Sequence, residues 1–232
     1  MRYNAMGGRG AGSGISGSER DIQKIIDWLD GEGQPKARCR VNPINIEEYK
    51  GQSLEKIEGR IRVLEHEELF AFNSNGELIA AFKGSKDRVG FPADLLDVQN
   101  ATVTHGHPKG TAEFGGTFSF ADINNMLKSN WKEHRATASG QGEMNYIMRR
   151  TEKADPSGLR ERINRDYQQL KKSIEDTYRN EYRKALEAGT RNHAKHVARQ
   201  MAVGILNSYY KNTFEQYGYE YIARKKDYKY NR

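Results

Sequence analysis

At 232 residues the chain is long enough to bury a sizeable core, as one large or two small domains. Charged residues make up 30% and hydrophobic ones 36%, mean hydropathy is −0.92, and no apolar run approaches the ~20 residues of a membrane span, so a membrane protein is excluded and a polar, soluble one is expected. The single cysteine, Cys39, excludes an intramolecular disulfide, and the opening lacks the apolar core of a signal peptide, so a cytoplasmic protein is expected.

Residues 1–17 are Gly-rich with almost nothing to bury and read as a flexible arm. Their glycine spacing is no nucleotide fingerprint, because no strand precedes it. Residues 18–52 form a second segment. Ser18 is a candidate N-cap, and Ile22, Ile25, Ile26 and Leu29 follow the i, i+3, i+4, i+7 pattern of an amphipathic helix. The Gly- and Pro-containing stretch that follows reads as loop, with a helical turn near Ile46 to Tyr49.

A third segment, residues 53–154, begins with a short helix at Ser53 to Arg60 and then turns to β. Strands at Ile61 to Phe72 and Glu77 to Lys83 are expected to pair across the Asn73-Ser74-Asn75-Gly76 turn. One or two helical turns at Pro92 to Asp97 precede a β-branched strand that delivers His105 and His107. A helix follows from Phe120 to about Asn130, then strands at His134 to Ser139 and Glu143 to Arg149. The order β-β-(α)-β-α-β-β predicts an α/β (α+β) fold, a mixed sheet packed with helices.

The chemistry concentrates between Val103 and Ile123. Side chains at i and i+2 of a strand leave the same face, so His105 and His107 converge. Ser119-x-x-Asp122 has the spacing of a helix start, which places Asp122 in the first turn, facing back to the strand. Two histidines and a carboxylate, with a fourth position left for water, form the ligand set of an open zinc site. His193 and His196 are also three apart on an expected helix, but Arg191, Lys195 and Arg199 surround them and oppose a cation.

These residues resemble the signature of the JAB/MPN (JAMM) metallopeptidases, His-x-His-Pro followed by Ser-x-x-Asp, and the order of elements is closest to the RadC-like branch. The segment Glu65 to Ile79 resembles that branch's first hairpin, which opens on a Glu-His pair. The resemblance covers roughly residues 53–150. It implies a JAB/MPN fold, zinc on His105, His107 and Asp122, Glu65 as general acid/base, Ser119 as a donor to the tetrahedral intermediate, and a protein or peptide substrate. Period-2 alternation puts Glu65 and Glu67 on one face and does not choose between them; anchoring on the Asn75-Gly76 turn favours Glu65, with Glu67 the alternative. Gly106 replaces the Ser, Thr or Asn usual between the histidines, and the stretch from Pro108 to Phe118 is longer than the family's. The Gly-rich opening resembles phage and mobile-element proteins.

Residues 155–232 hold 17 Lys and Arg against 10 Asp and Glu, the whole of the +7 net charge. Leu159, Ile163, Tyr167, Leu170, Ile174, Tyr178 and Tyr182 predict one long helix, and beyond Gly189 Val197, Met201, Ile205, Leu206, Tyr209 and Phe214 predict a second. Such stripes suit a helical hairpin or a homo-oligomer. Arg191, Lys195, Arg199, Arg224, Lys225 and Lys226, with tyrosines nearby, are candidate nucleic-acid contacts. Two functions are therefore expected to compete: a zinc hydrolase, and a JAB-fold adaptor acting through this basic region.

Overall fold

The structure, a computed structural model, describes residues 19–27, 40–85, 88–108, 117–138 and 144–225, and within the last span not the side chains of residues 191–193, 195, 199 and 202. The Gly-rich arm, Ser18, Leu29, Cys39 and Lys226 lie outside the described residues.

A six-stranded mixed sheet organises the molecule, as the α/β expectation requires. Its strands are β1 (Glu68–Phe72), β2 (Leu78–Lys83), β3 (Thr102–His107), β4 (Glu133–Ala138), β5 (Met144–Arg150) and β6 (Tyr219–Lys225), in the order β2-β1-β3-β4-β5-β6. All neighbours are antiparallel except β3 and β4. A parallel pair needs a crossover, which α3 (Phe120–Lys128) supplies. In the β1–β2 hairpin, Asn73 Oδ1 accepts from the N–H groups of Asn75 and Glu77, and Gly76 takes the φ of +81° that the turn demands.

Each face of the sheet has its own core. Phe70, Phe72 and Ala81 pack against Tyr49, Ile57 and Ile61. Leu69, Ala71, Val103, Ala136, Tyr146 and Met148, alternating with that set, join a larger cluster with α3 and the C-terminal helices.

Helix α2 (Leu54–Ile61) is capped by Ser53, whose Oγ accepts from the Lys56 N–H, and it runs through Gly59. This corrects the expected strand from Ile61. Ile57 and Ile61, four apart, are both fully buried on one helical face, so the helix extends to Ile61, a bend follows at residues 65–66, and the strand starts only at Glu68.

The C-terminal region is a helical hairpin closed by a strand. Helix α4 (Pro156–Glu187) starts where Asp155 Oδ1 accepts from the Gly158 N–H at 2.9 Å, and Gly189, at φ +71°, turns the chain into α5 (Arg191–Phe214). The expected α4 stripe is buried apart from Tyr167, which is partly so. On α5 the expected face holds in part: Leu206 and Phe214 are buried and Ile205 and Tyr209 partly so, but Val197 and Met201 are 37% and 50% exposed, and Ala194, Ala198, Val203 and Tyr210 are further buried positions. The region is also not helical throughout. Tyr219–Lys225 becomes the edge strand β6, pairing along β5 from Arg150↔Tyr219 to Met144↔Lys225.

The first helix, α1 (19–27), buries Ile22, Ile25 and Ile26. It is tied to α4 by the Tyr178 hydroxyl, which donates to Asp21 Oδ2 at 3.0 Å, and by Arg179, which pairs with Glu19. Among the described residues no helix is long and apolar enough to cross a membrane.

Candidate metal centre

Strand β3 carries Val103, His105 and His107 on the face of the larger core. The parallel register Val103↔His134 and His105↔Ala136 puts His134 of β4 on that face too. Helix α3 then brings Asp122, the third residue of its first turn, over the histidines.

His105 Nε2 lies 2.9 Å from His107 Nε2 and 3.4 Å from Asp122 Oδ1, while His107 Nε2 lies 3.8 Å from Asp122 Oδ2. Ligand atoms ~2.1 Å from a tetrahedral zinc would be about 3.4 Å apart; the His105–Asp122 Oδ1 separation matches this, the two ring nitrogens stand closer, and the His107 contact is to the other carboxylate oxygen. One ligand atom each from His105, Asp122 and His134 also lie within 4.8 Å of one another, and this group can hold a metal ion.

Asp122 is aimed by a complete capping box. The Ser119 N–H and hydroxyl donate to Asp122 Oδ2, and the Asp122 N–H donates back to Ser119 Oγ. His134 is fixed by its ring Nδ1, 3.2 Å from the Asp122 carbonyl oxygen. With Nδ1–H donating there, Nε2 carries the lone pair. The ring sits among those of His105, Phe118 and Trp131, at centroid distances of 5.0, 5.3 and 5.2 Å.

Electrostatics prepares these groups for a cation. Burial pushes the His105 imidazole down to about 3 and the His134 imidazole down to about 4, against the opposing pull of Asp122. Burial works to raise the Asp122 carboxyl, but His105, His107, His134 and the Ser119 hydroxyl outweigh it and hold the carboxyl below its ordinary value. Burial thus favours the neutral rings of His105 and His134 beside the carboxylate.

The structure brings His105, His107 and Asp122 together, with Ser119 bonded to Asp122. Glu65 is exposed on the bend before β1, whereas Glu67 is buried. Leu69 pairs with His105, so continuing the antiparallel register by two residues sets Glu67 opposite His107, on the histidine face. His134 offers no spacing signal in the sequence, because its link to the site, a parallel register with β3, connects residues that no local spacing joins.

Gly106, between the two histidines, faces the other way. A Cβ there would stand 2.9 Å from the Ile61 carbonyl oxygen, so the glycine is what lets the end of α2 cross β3. Beside that crossing lies a buried ionic layer in which Arg135 donates to Glu58 and Glu133, and Arg149 donates to Glu133.

Of the candidate nucleic-acid contacts, Arg224 and Lys225 are exposed at the end of β6. Arg191, Lys195 and Arg199 belong to the first turns of α5, with side chains outside the described set, and Lys226 is not described. In comparisons with protein families, curated proteins and solved structures, nothing matches this chain.

Proposed function

We propose that the chain is a zinc-dependent hydrolase of the JAMM type that cleaves a peptide or isopeptide bond. The observation that carries this reading is the convergence of His105 Nε2, His107 Nε2 and Asp122 at edges of 2.9, 3.4 and 3.8 Å on one face of the sheet. The strand and helix order that mounts these residues, and a buried glutamate on the neighbouring strand, support it.

Zinc held there would supply Lewis acidity, polarising the scissile carbonyl and acidifying the attacking water. Glu67 takes the proton from that water and returns it to the leaving amine, the acid/base role that the resemblance assigned to Glu65. Ser119 holds the Asp122 carboxylate through the capping box. When substrate enters, the same hydroxyl is close enough to the ligands to turn and donate to the developing oxyanion.

His134 favours a second reading. If His134 joins His105, His107 and Asp122, four protein ligands close the site, and the metal is structural in a non-catalytic adaptor. Metal analysis of the wild type beside His107→Ala and His134→Ala separates the two. The hydrolase reading expects about one zinc per chain, lost in His107→Ala and kept in His134→Ala, and hydrolysis of a peptide or isopeptide panel abolished in Glu67→Gln while zinc remains. Zinc lost in both variants supports the closed, structural site, and zinc that survives His107→Ala but not His134→Ala sinks the His105–His107–Asp122 ligand set.

A further inference from the structure

Away from the histidines, on the outer side of the helix that carries Asp122, α3 and α4 line a half-open cavity of about 330 Å³. Phe120, Ile123 and Leu127 of α3 and Ile163 of α4 form apolar walls, and Arg160 and Asn164 of α4 supply polar edges. The volume falls at the lower end of the ~300–1,000 Å³ of small-molecule pockets.

Arg160 gives the cavity its chemistry. Its Nε is buried and has no hydrogen-bond partner, and among the described residues no carboxylate pairs with its guanidinium. Arg162 pairs with Asp166; Arg150 also has a buried Nε without a partner, but another of its nitrogens donates to the carbonyl oxygens of Met126 and Ser129. A buried donor left without an acceptor is costly, and a guanidinium fork is met best by a carboxylate. One guanidinium among the apolar side chains of Phe120, Ile123, Leu127 and Ile163 and the polar groups of Asn124, Asn164 and Tyr167 matches one negative charge on a partly apolar tail and disfavours a polyanion.

We propose that the α3–α4 cavity binds a small amphipathic carboxylate, with its tail against Phe120, Ile123, Leu127 and Ile163 and its carboxylate on Arg160. A free acid and the terminal carboxylate of a peptide share this chemistry. The site is separate from the metal cluster and does not depend on the proposed hydrolysis.

Calorimetric titration of the full chain tests it, with 3-phenylpropionate, its neutral primary amide and an acetylated tetrapeptide ending in a free Leu carboxylate as probes. Expected is binding of 3-phenylpropionate, weaker by roughly tenfold or more for the amide and in Arg160→Met, because a charge-assisted pair is lost. Asn164→Trp, a change at an exposed wall position, fills the cavity and should abolish binding. Tighter binding of the tetrapeptide with the same dependence on Arg160 and Asn164 supports the site and names a chain terminus as its source; tighter binding of 3-phenylpropionate names a free acid. No binding of either carboxylate at ~10 mM, equal binding of the amide, or unchanged binding in Asn164→Trp overturns the proposal. Circular dichroism and zinc content, unchanged in both variants, show that a loss is local.

Discussion

Ser119 and Asp122 hold each other through three hydrogen bonds: the serine N–H and hydroxyl reach Asp122 Oδ2 at 2.8 and 2.7 Å, and the aspartate N–H reaches Ser119 Oγ at 3.3 Å. Oδ1 is thereby left facing His105 Nε2 at 3.4 Å. One motif starts the helix and aims the carboxylate. A capped first turn is a stiffer mount for a ligand than a loop.

Ser119→Ala should therefore do two things at once. It removes an N-cap, costing about 1 kcal/mol in urea unfolding, and it frees the carboxylate, weakening zinc roughly 10- to 100-fold in a competition titration. A variant with the stability loss but unchanged zinc affinity would show that Ser119 is a cap and nothing more.

The two glutamates give the sharpest test of mechanism. Glu67→Gln should lower hydrolysis by about 10²- to 10⁴-fold with zinc retained, and Glu65→Gln, at an exposed bend, should leave it within about twofold of wild type. Activity surviving in Glu67→Gln and lost in Glu65→Gln would return the role to Glu65.

The choice between these two glutamates shows what was legible in the sequence. His105, His107 and Asp122 could be read because their relation is local: two residues apart on a strand, and in the first turn of a capped helix. The glutamate could not, because its face depends on where β1 begins, and Ile61 satisfies both a strand pattern and the i+4 partner of Ile57; packing decides for the helix. His134 depends on a parallel register across a crossover, and β6 on a partner strand about 75 residues upstream, Met144 to Arg150. On α5 the buried face includes alanines, which the pattern of large apolar residues overlooks.

Acid should unfold the metal-free protein earlier than its exposed groups alone require. His105 and His134 have folded pKa values near 3 and 4, below the ordinary 6.5 of the unfolded chain. The unfolded state thus takes up their protons first. Their contribution is fully present above about pH 6.5 and is lost as pH falls towards 4 and then 3, at up to ~1.4 kcal/mol per pH unit for each. The Asp122 carboxyl, also held low, adds to the same slope below its ordinary value. Thermal melts of chelator-treated protein from pH 7.5 to 4.5 should show the decline, with a shallower slope in His134→Asn; a flat profile would mean that these imidazoles are already charged in the fold.

Gly106→Ser introduces a residue type usual in the JAMM motif that this segment resembles, yet it should harm this chain. The new Cβ meets the Ile61 carbonyl oxygen at 2.9 Å, backbone that cannot give way cheaply. A loss of about 1–3 kcal/mol in urea unfolding is expected. A neutral result would show that α2 shifts freely over β3.

Glu58 controls how α2 is fastened to the sheet. Its carboxylate, 2% exposed as a residue, accepts from Arg135 Nε at 2.5 Å and from a second Arg135 nitrogen at 3.0 Å, and from the Thr104 hydroxyl at 3.2 Å. Arg135 also donates to Glu133, which is shared with Arg149. Burial works to lower the Arg135 guanidinium's pKa, but Glu58 and Glu133 outweigh it and hold it above its ordinary value. Glu58→Ala leaves a buried cation with half its partners, a defect of about 3–5 kcal/mol in urea unfolding. Removing both charges in Glu58→Ala/Arg135→Met should recover part of that loss, because the penalty comes from the unpaired charge as well as from the missing contact. If Glu58→Ala instead stays within about 1 kcal/mol of wild type, water reaches Arg135 and the layer is not sealed. Full recovery in the double variant would show that the pair adds no net stability, and that its effect is to fix where α2 sits relative to β3 and the histidines on the opposite face.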